Sequence, residues 1–137
     1  MSASFGGGRR VLIVDDDAGI RLLLVTFLLR YGFQLRQARN GREALDEMDA
    51  GNADLVIMDL TMPEVSGWEV LRVRVADRSL LSIPVIVMTA LNTKQAQADV
   101  AGKSVSAVLG KPFDLATLLT AVRTSLDHEG VPAPLAA

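Results

Sequence analysis

VLIVDDD, residues 11–17, is the stretch on which the reading of the chain turns. Four apolar residues, Val11–Val14, run straight into three carboxylates, Asp15, Asp16 and Asp17. A short continuous apolar run of this kind suits a parallel strand covered on both faces. Adjacent carboxylates repel one another, and an apolar wall beside them raises the cost of ionising them. A hard divalent cation, which prefers oxygen ligands, would offset that cost. Taken alone, the stretch reads equally well as a solvated acidic turn after a strand.

Working outward, Leu55–Met58 and Val85–Met88 are further continuous apolar runs, and Leu35–Ala38 and Ala107–Leu109 are weaker strand candidates. Helical patterns lie between them. Ile20, Leu23, Leu24, Phe27, Leu28 and Tyr31 line one face of a first helix, and Gly32 stands where a C-terminal cap belongs. Arg42–Ala50 is bracketed by Gly41 and Gly51, and a third helix is expected from about Ser66 to Ala76. A polar, Ala-rich fourth helix runs from about Thr93 to Ala101. Asp114 can cap a fifth, whose stripe is Leu115, Leu118, Leu119, Val122 and Leu126. Five strands alternating with five helices imply a doubly wound α/β sandwich, given right-handed crossovers.

The composition narrows the function classes. The 137 residues suit one domain, and with half of them apolar a sizeable core is within reach. A net charge of −2 argues against a general nucleic-acid or anionic-membrane binder. Without cysteine there is no disulfide framework, Cys-ligated zinc or thiol nucleophile, and with His128 alone there is no multi-histidine metal site. Ile20–Leu29, the most apolar stretch, is interrupted by Arg21 and Thr26, so no bilayer span is expected. MSASFGGGRR lacks the apolar centre of a signal peptide, and a cytoplasmic location follows by default. Residues 1–9 read as a flexible leader, 10–127 as the domain, and 128–137 as a flexible Pro/Ala-rich tail. Gly6–Gly8 lacks the downstream Gly-Lys-Ser/Thr of a phosphate loop, which disfavours nucleotide binding. Trp68 reads as packing, and Arg72, Arg74 and Arg78 as a solvated face.

In an open α/β sheet the site lies beyond the carboxyl ends of the strands. Here those ends carry Asp15 and Asp16, then Asp59, then Thr89 and Ala90, then Lys111 and Pro112. A parallel sheet brings them to one edge. Asp15, Asp16 and Asp59 can share one Mg²⁺, leaving an Asp59 oxygen free as a nucleophile. Thr89 and Lys111 can donate to phosphoryl oxygens. Singly, Asp59 reads as a turn residue, Thr89 as a strand-end hydroxyl and Lys111 as a solvated lysine. Jointly, the bland reading needs four coincidences at the correct strand ends.

VLIVDDD, DLVIMDLTMPEVSG, VIVMTA and KPF together resemble the receiver domains of two-component response regulators, over roughly residues 10–127. The resemblance implies a flavodoxin-like five-stranded parallel sheet of order 2-1-3-4-5. It implies that Asp59 accepts a phosphoryl group from a histidine kinase or phosphotransfer protein. Asp15, Asp16, Asp59 and the backbone carbonyl of Thr61 would hold Mg²⁺, while Thr89 and Lys111 would contact the phosphoryl group. Thr89, Ala90, Val108 and Pro112 would form the switch region, with a cis Lys111–Pro112 bond. Asp17 falls outside the metal pair. Val108 stands where receivers often carry an aromatic switch residue, so a ring flip cannot be the readout there. Thr61 and Leu91 occupy positions that can place the hydrolytic water, and neither is suited to it, which implies a long-lived phosphorylated state. The implied chain is a stand-alone receiver, a monomer or weak dimer, switching an unidentified protein partner through the face of the fourth helix, fifth strand and fifth helix, without direct nucleic-acid or membrane binding.

Two other classes fit the sequence less well. A Mg²⁺-dependent aspartyl-phosphate phosphatase resembling haloacid dehalogenases needs a second Asp two residues after its nucleophile, where this chain has Thr61. A phosphorylation-independent scaffold leaves the complete acidic, Thr and Lys set without a use.

Overall fold

The computed structural model describes residues 5–90 and 93–127. Five parallel strands form one sheet: β1 (Arg10–Val14), β2 (Gln34–Ala38), β3 (Leu55–Asp59), β4 (Val85–Thr89) and β5 (Ala107–Gly110). Their order is β2-β1-β3-β4-β5, as expected. The described residues include six helices: α1 (Ala18–Leu29), α2 (Gly41–Asp49), α3 (Gly67–Val75), α4 (Arg78–Leu81), α5 (Thr93–Val100) and α6 (Leu115–Asp127). The expected fourth and fifth helices are α5 and α6. The additional short helix, α4, starts where the Asp77 side chain accepts the Ser79 amide proton.

Strand alternation divides the core into two layers. Val11, Ile13, Leu55, Ile57, Ile86 and Met88 pack with Leu24 and Leu28 of α1 and Leu118 and Val122 of α6. Leu12, Val14, Val56, Met58, Val85 and Val87 pack with α2, α3 and α5 on the other face. β3 and β4 are buried along their whole length, which explains why their sequences read as unbroken apolar runs.

Three expectations change. Leu23 is 51% exposed, and Leu24 and Leu28 carry the buried face of α1. Arg74, expected on a solvated face with Arg72 and Arg78, is 2% exposed. Its guanidinium donates to the carbonyls of Leu81, Ile83, Lys103 and Ser104, which solvate the charge in place of water. Residues 5–9, assigned to a flexible leader, are placed against the end of α1. The Phe5 ring meets Tyr31 and Phe33 edge-on, the Arg123 guanidinium lies 4.1 Å from its centroid, and the Gly6 amide donates to the Tyr31 carbonyl. Gly6 is required there, because a Cβ would lie 2.6 Å from the Gly32 carbonyl carbon. Residues 1–4, Leu91, His128 and the rest of the expected tail lie outside the described residues.

Candidate functional site

Register places the chemistry. Val14 pairs with Met58, so Asp15 and Asp59 come next in line on adjacent strands β1 and β3. Thr89 pairs with Gly110, so Lys111 leaves β5 beside the end of β4, where its amide donates to the Thr89 carbonyl at 2.7 Å. The Lys111 ammonium reaches inward to Asp15 Oδ2 at 2.8 Å and Asp59 Oδ2 at 3.3 Å. Asp15 is fully buried, Asp59 nearly so, and Asp16 is exposed at the mouth. Each of the three carboxylates offers an oxygen within 4.8 Å of the others. Asp15, Asp16, Asp59 and Lys111 are therefore brought together as expected. Thr89 is buried at the end of β4, and Ala90 is exposed after it. Thr61 is exposed after β3, and its amide donates to Asp59 Oδ1 at 3.2 Å. The Lys111–Pro112 bond is cis. Val108 lies partly buried in β5.

The electrostatics are those of an acid excess in a dry place. Burial pushes the Asp59 carboxyl above the usual carboxylate range and the Asp15 charge adds to the rise, against the attraction of Lys111 and the Thr61 amide. At Lys111 burial works against the ammonium, but the hydrogen bond to Asp15 and the charges of Asp59 and Asp15 outweigh it, and the group stays cationic. One ammonium, bonded to Asp15 and Asp59, stands against a cluster of three carboxylates. The donor set is all hard oxygen, partly open to solvent at Asp16, which suits Mg²⁺ and not a thiophilic metal.

Local structure holds this arrangement. Asp17, outside the carboxylate cluster, is the N-cap of α1 and accepts from the Gly19 and Ile20 amides. After β3, Ser66 and Glu69 form a capping box that starts α3. Gly67 was missed in the sequence as a site residue. A Cβ there would lie 2.8 Å from Leu60 Cα and run into the Asp59 carbonyl, so this glycine lets α3 pack against the backbone that carries Asp59. Its signal was faint, a Ser-Gly pair ahead of a helical pattern. Beside Lys111 an apolar groove of about 420 Å³ is lined by Ile20, Leu23, Phe113 and Leu115 among others. A second groove, of about 340 Å³, lies between α5 and β5 and includes Val108. Among the described residues, no helix is long and apolar enough to cross a membrane.

Known proteins share this sequence and this fold. The response regulator receiver domain family matches residues 11–123. Sporulation initiation phosphotransferase F of Bacillus subtilis is 36% identical over 118 residues, 85% of this chain and 93% of that protein. The CAI-1 autoinducer sensor kinase/phosphatase CqsS of Vibrio cholerae is 36% identical over 115 residues, 83% of this chain but 17% of that much longer protein. The response regulator protein TrrA of Thermotoga maritima, whose structure is a complex with Mg²⁺-BeF, superposes with a TM-score of 0.73 at 32% identity, covering 85% of this chain and 97% of that one. With the sheet order, the acidic cluster and the matched length in agreement, the chain belongs to the response regulator receiver domain family of two-component signalling.

Proposed function

We propose that Asp59 accepts a phosphoryl group from the phosphohistidine of a histidine kinase or phosphotransfer protein, and that the phosphorylated chain switches its affinity for a protein partner. The observation that carries this reading is the position of Asp59. It is a nearly buried carboxylate at a strand end, with one oxygen near the Lys111 ammonium and the other near the Thr61 amide. A carboxylate oxygen of Asp59 attacks phosphorus, the phosphorus–nitrogen bond breaks, and the leaving imidazole takes up a proton. Lys111 balances charge on the phosphoryl oxygens, and the Thr89 hydroxyl donates to another of them. Asp15, Asp16, Asp59 and the Thr61 carbonyl are the residues that would hold Mg²⁺. When bound, the ion offsets the repulsion between the acid cluster and the incoming phosphoryl group.

The apolar groove beside Lys111, with exposed Leu23 at its rim, supports docking of the phosphodonor there. The α5–β5–α6 face supports the output. Thr89 ends β4 at the site, Val108 lines the groove between α5 and β5, and Ala90 and Pro112 line the groove beside Lys111. Val108 is too small for an aromatic reorientation, so the change is expected in the segment after β4 and in α5. The likeness to the sporulation phosphotransferase supports a phosphotransfer role for this chain. The test is incubation with acetyl phosphate and Mg²⁺, followed by intact mass. One added phosphoryl group that depends on Mg²⁺ is expected, and no addition under any Mg²⁺ concentration would overturn the reading. Turnover of a small phosphate ester would instead favour the phosphatase class.

A further inference from the structure

Asp16 is exposed, so packing cannot fix its carboxylate as it fixes those of Asp15 and Asp59. Its backbone is held instead. The direction of its Cα–Cβ bond follows from the two peptide planes that flank its Cα, since each plane is rigid and only φ and ψ are soft. The plane before it is held through the Asp15 carbonyl, which accepts from Arg21 Nη1 at 2.7 Å. The plane after it is held through the Asp17 amide, which donates to Asp15 Oδ1 at 2.9 Å. Arg21 is itself oriented. Its Nε donates to Gln37 Oε1 of β2 at 2.9 Å, and its amide donates to the Asp17 carbonyl at 3.1 Å.

Arg21 stands in an electrostatically poor place for a helix. It belongs to the beginning of α1, where the helix dipole disfavours a cation. α1 gains nothing from a charge there. The fork of the guanidinium, with one nitrogen on the acidic loop and another on β2, is what the position uses. We infer that Arg21, braced by Gln37, is a positioning residue that presents the exposed Asp16 carboxylate to a divalent cation shared with Asp15 and Asp59. The inference rests on the proposed Mg²⁺ site and deepens it.

Charge and positioning make opposite predictions, which gives a clean test. A cation near the acid cluster opposes a second cation, so by charge alone removing Arg21 should tighten Mg²⁺ binding. If Arg21 positions Asp16, removing it should weaken binding, as loss of outer partners of metal ligands does, by about tenfold. Titrate the full chain with Mg²⁺ alone by isothermal calorimetry, comparing wild type with Arg21→Gln and Gln37→Leu, and record the metal-free melting temperature of each. Weaker Mg²⁺ binding is expected in both variants. The loss should be smaller in Gln37→Leu, which keeps the charge and removes only the brace. Tighter or unchanged affinity in Arg21→Gln, or a lowered melting temperature with unchanged affinity, would overturn the inference while leaving the Mg²⁺ site standing. Should Arg21→Gln fail to fold, unchanged affinity in the surface variant Gln37→Leu overturns it by itself. Absence of Mg²⁺ binding in wild type overturns the site and this inference together.

Discussion

At the edge of the sheet where the strands begin, Arg74 is buried and donates five hydrogen bonds to four carbonyl oxygens, and Arg10 meets Asp54 in a two-nitrogen contact. At the edge where the strands end, three carboxylates cluster, and two of them, Asp15 and Asp59, share one ammonium. Both edges bury charge. At the first, Arg74, Arg10 and Asp54 have partners matched to them in number and geometry, so these groups serve the fold. At the second, the acid excess remains, and it becomes favourable only with added positive charge or a changed charge state. A buried charge is therefore a functional signal when its local balance is incomplete, and burial alone does not separate the two cases.

The largest expected effect lies at the balanced edge. Arg74→Ala leaves four carbonyls without their donor and opens a cavity between α3 and the loops before β4 and β5. Urea unfolding should show a loss of at least about 3 kcal/mol, since each unsatisfied buried acceptor is costly. Arg74→Lys should recover only part of it, because an ammonium cannot span the same acceptors. A change within experimental error for Arg74→Ala would mean that the guanidinium is solvated and that the contrast between the edges is false.

A smaller effect of opposite sign is expected at the other edge. Asp59→Asn removes a carboxylate that burial and Asp15 hold in an unfavourable ionised state, so with a chelator present the variant should melt roughly 2–4 °C above wild type. A lower melting temperature for the variant would mean that Lys111 already balances the cluster and that no acid excess exists.

The smallest effect concerns the Arg10–Asp54 pair. Hydrogen bonding and charge from Arg10 hold the Asp54 carboxyl below the usual carboxylate range, against a smaller opposing effect of burial. A carboxylate depressed in the folded state adds stability above its unfolded pKa, and that stability is lost as pH falls through the folded value. Asp54→Asn should thus be less stable than wild type at neutral pH, and the gap should close below about pH 4. Melting curves of both proteins across that range measure it. A gap that stays constant would place the effect of Asp54 in packing and not in charge.

Much of this was legible in the sequence. Val11–Val14, Leu55–Met58 and Val85–Met88 announce strands because a sheet covered on both faces needs apolar residues at every position. Asp15, Asp16, Asp59, Thr89 and Lys111 were found because a parallel sheet collects strand ends at one edge. What escaped notice depends on contacts between distant segments. Arg74 looks like its neighbours Arg72 and Arg78, and it is enclosed by the carbonyls of residues 81, 83, 103 and 104, which the sequence does not bring together. Leu23 looks like Leu24, yet α1 presents the latter to the sheet. Gly67 and Arg21 act through the backbone of Asp59 and Asp15, and no side-chain pattern records a backbone contact. The Gly6–Gly8 run reads as flexible, but Phe5 holds the segment against Tyr31 and Phe33.

The central claim is that one of three neighbouring carboxylates, Asp59, is the acceptor. The most direct measurement treats the protein with acetyl phosphate and Mg²⁺, traps the acyl phosphate by borohydride reduction, and maps the reduced residue by peptide sequencing in a mass spectrometer. Reduction is expected at residue 59 alone, and none in Asp59→Asn. Reduction at Asp15 or Asp16, or undiminished trapping in Asp59→Asn, would contradict it.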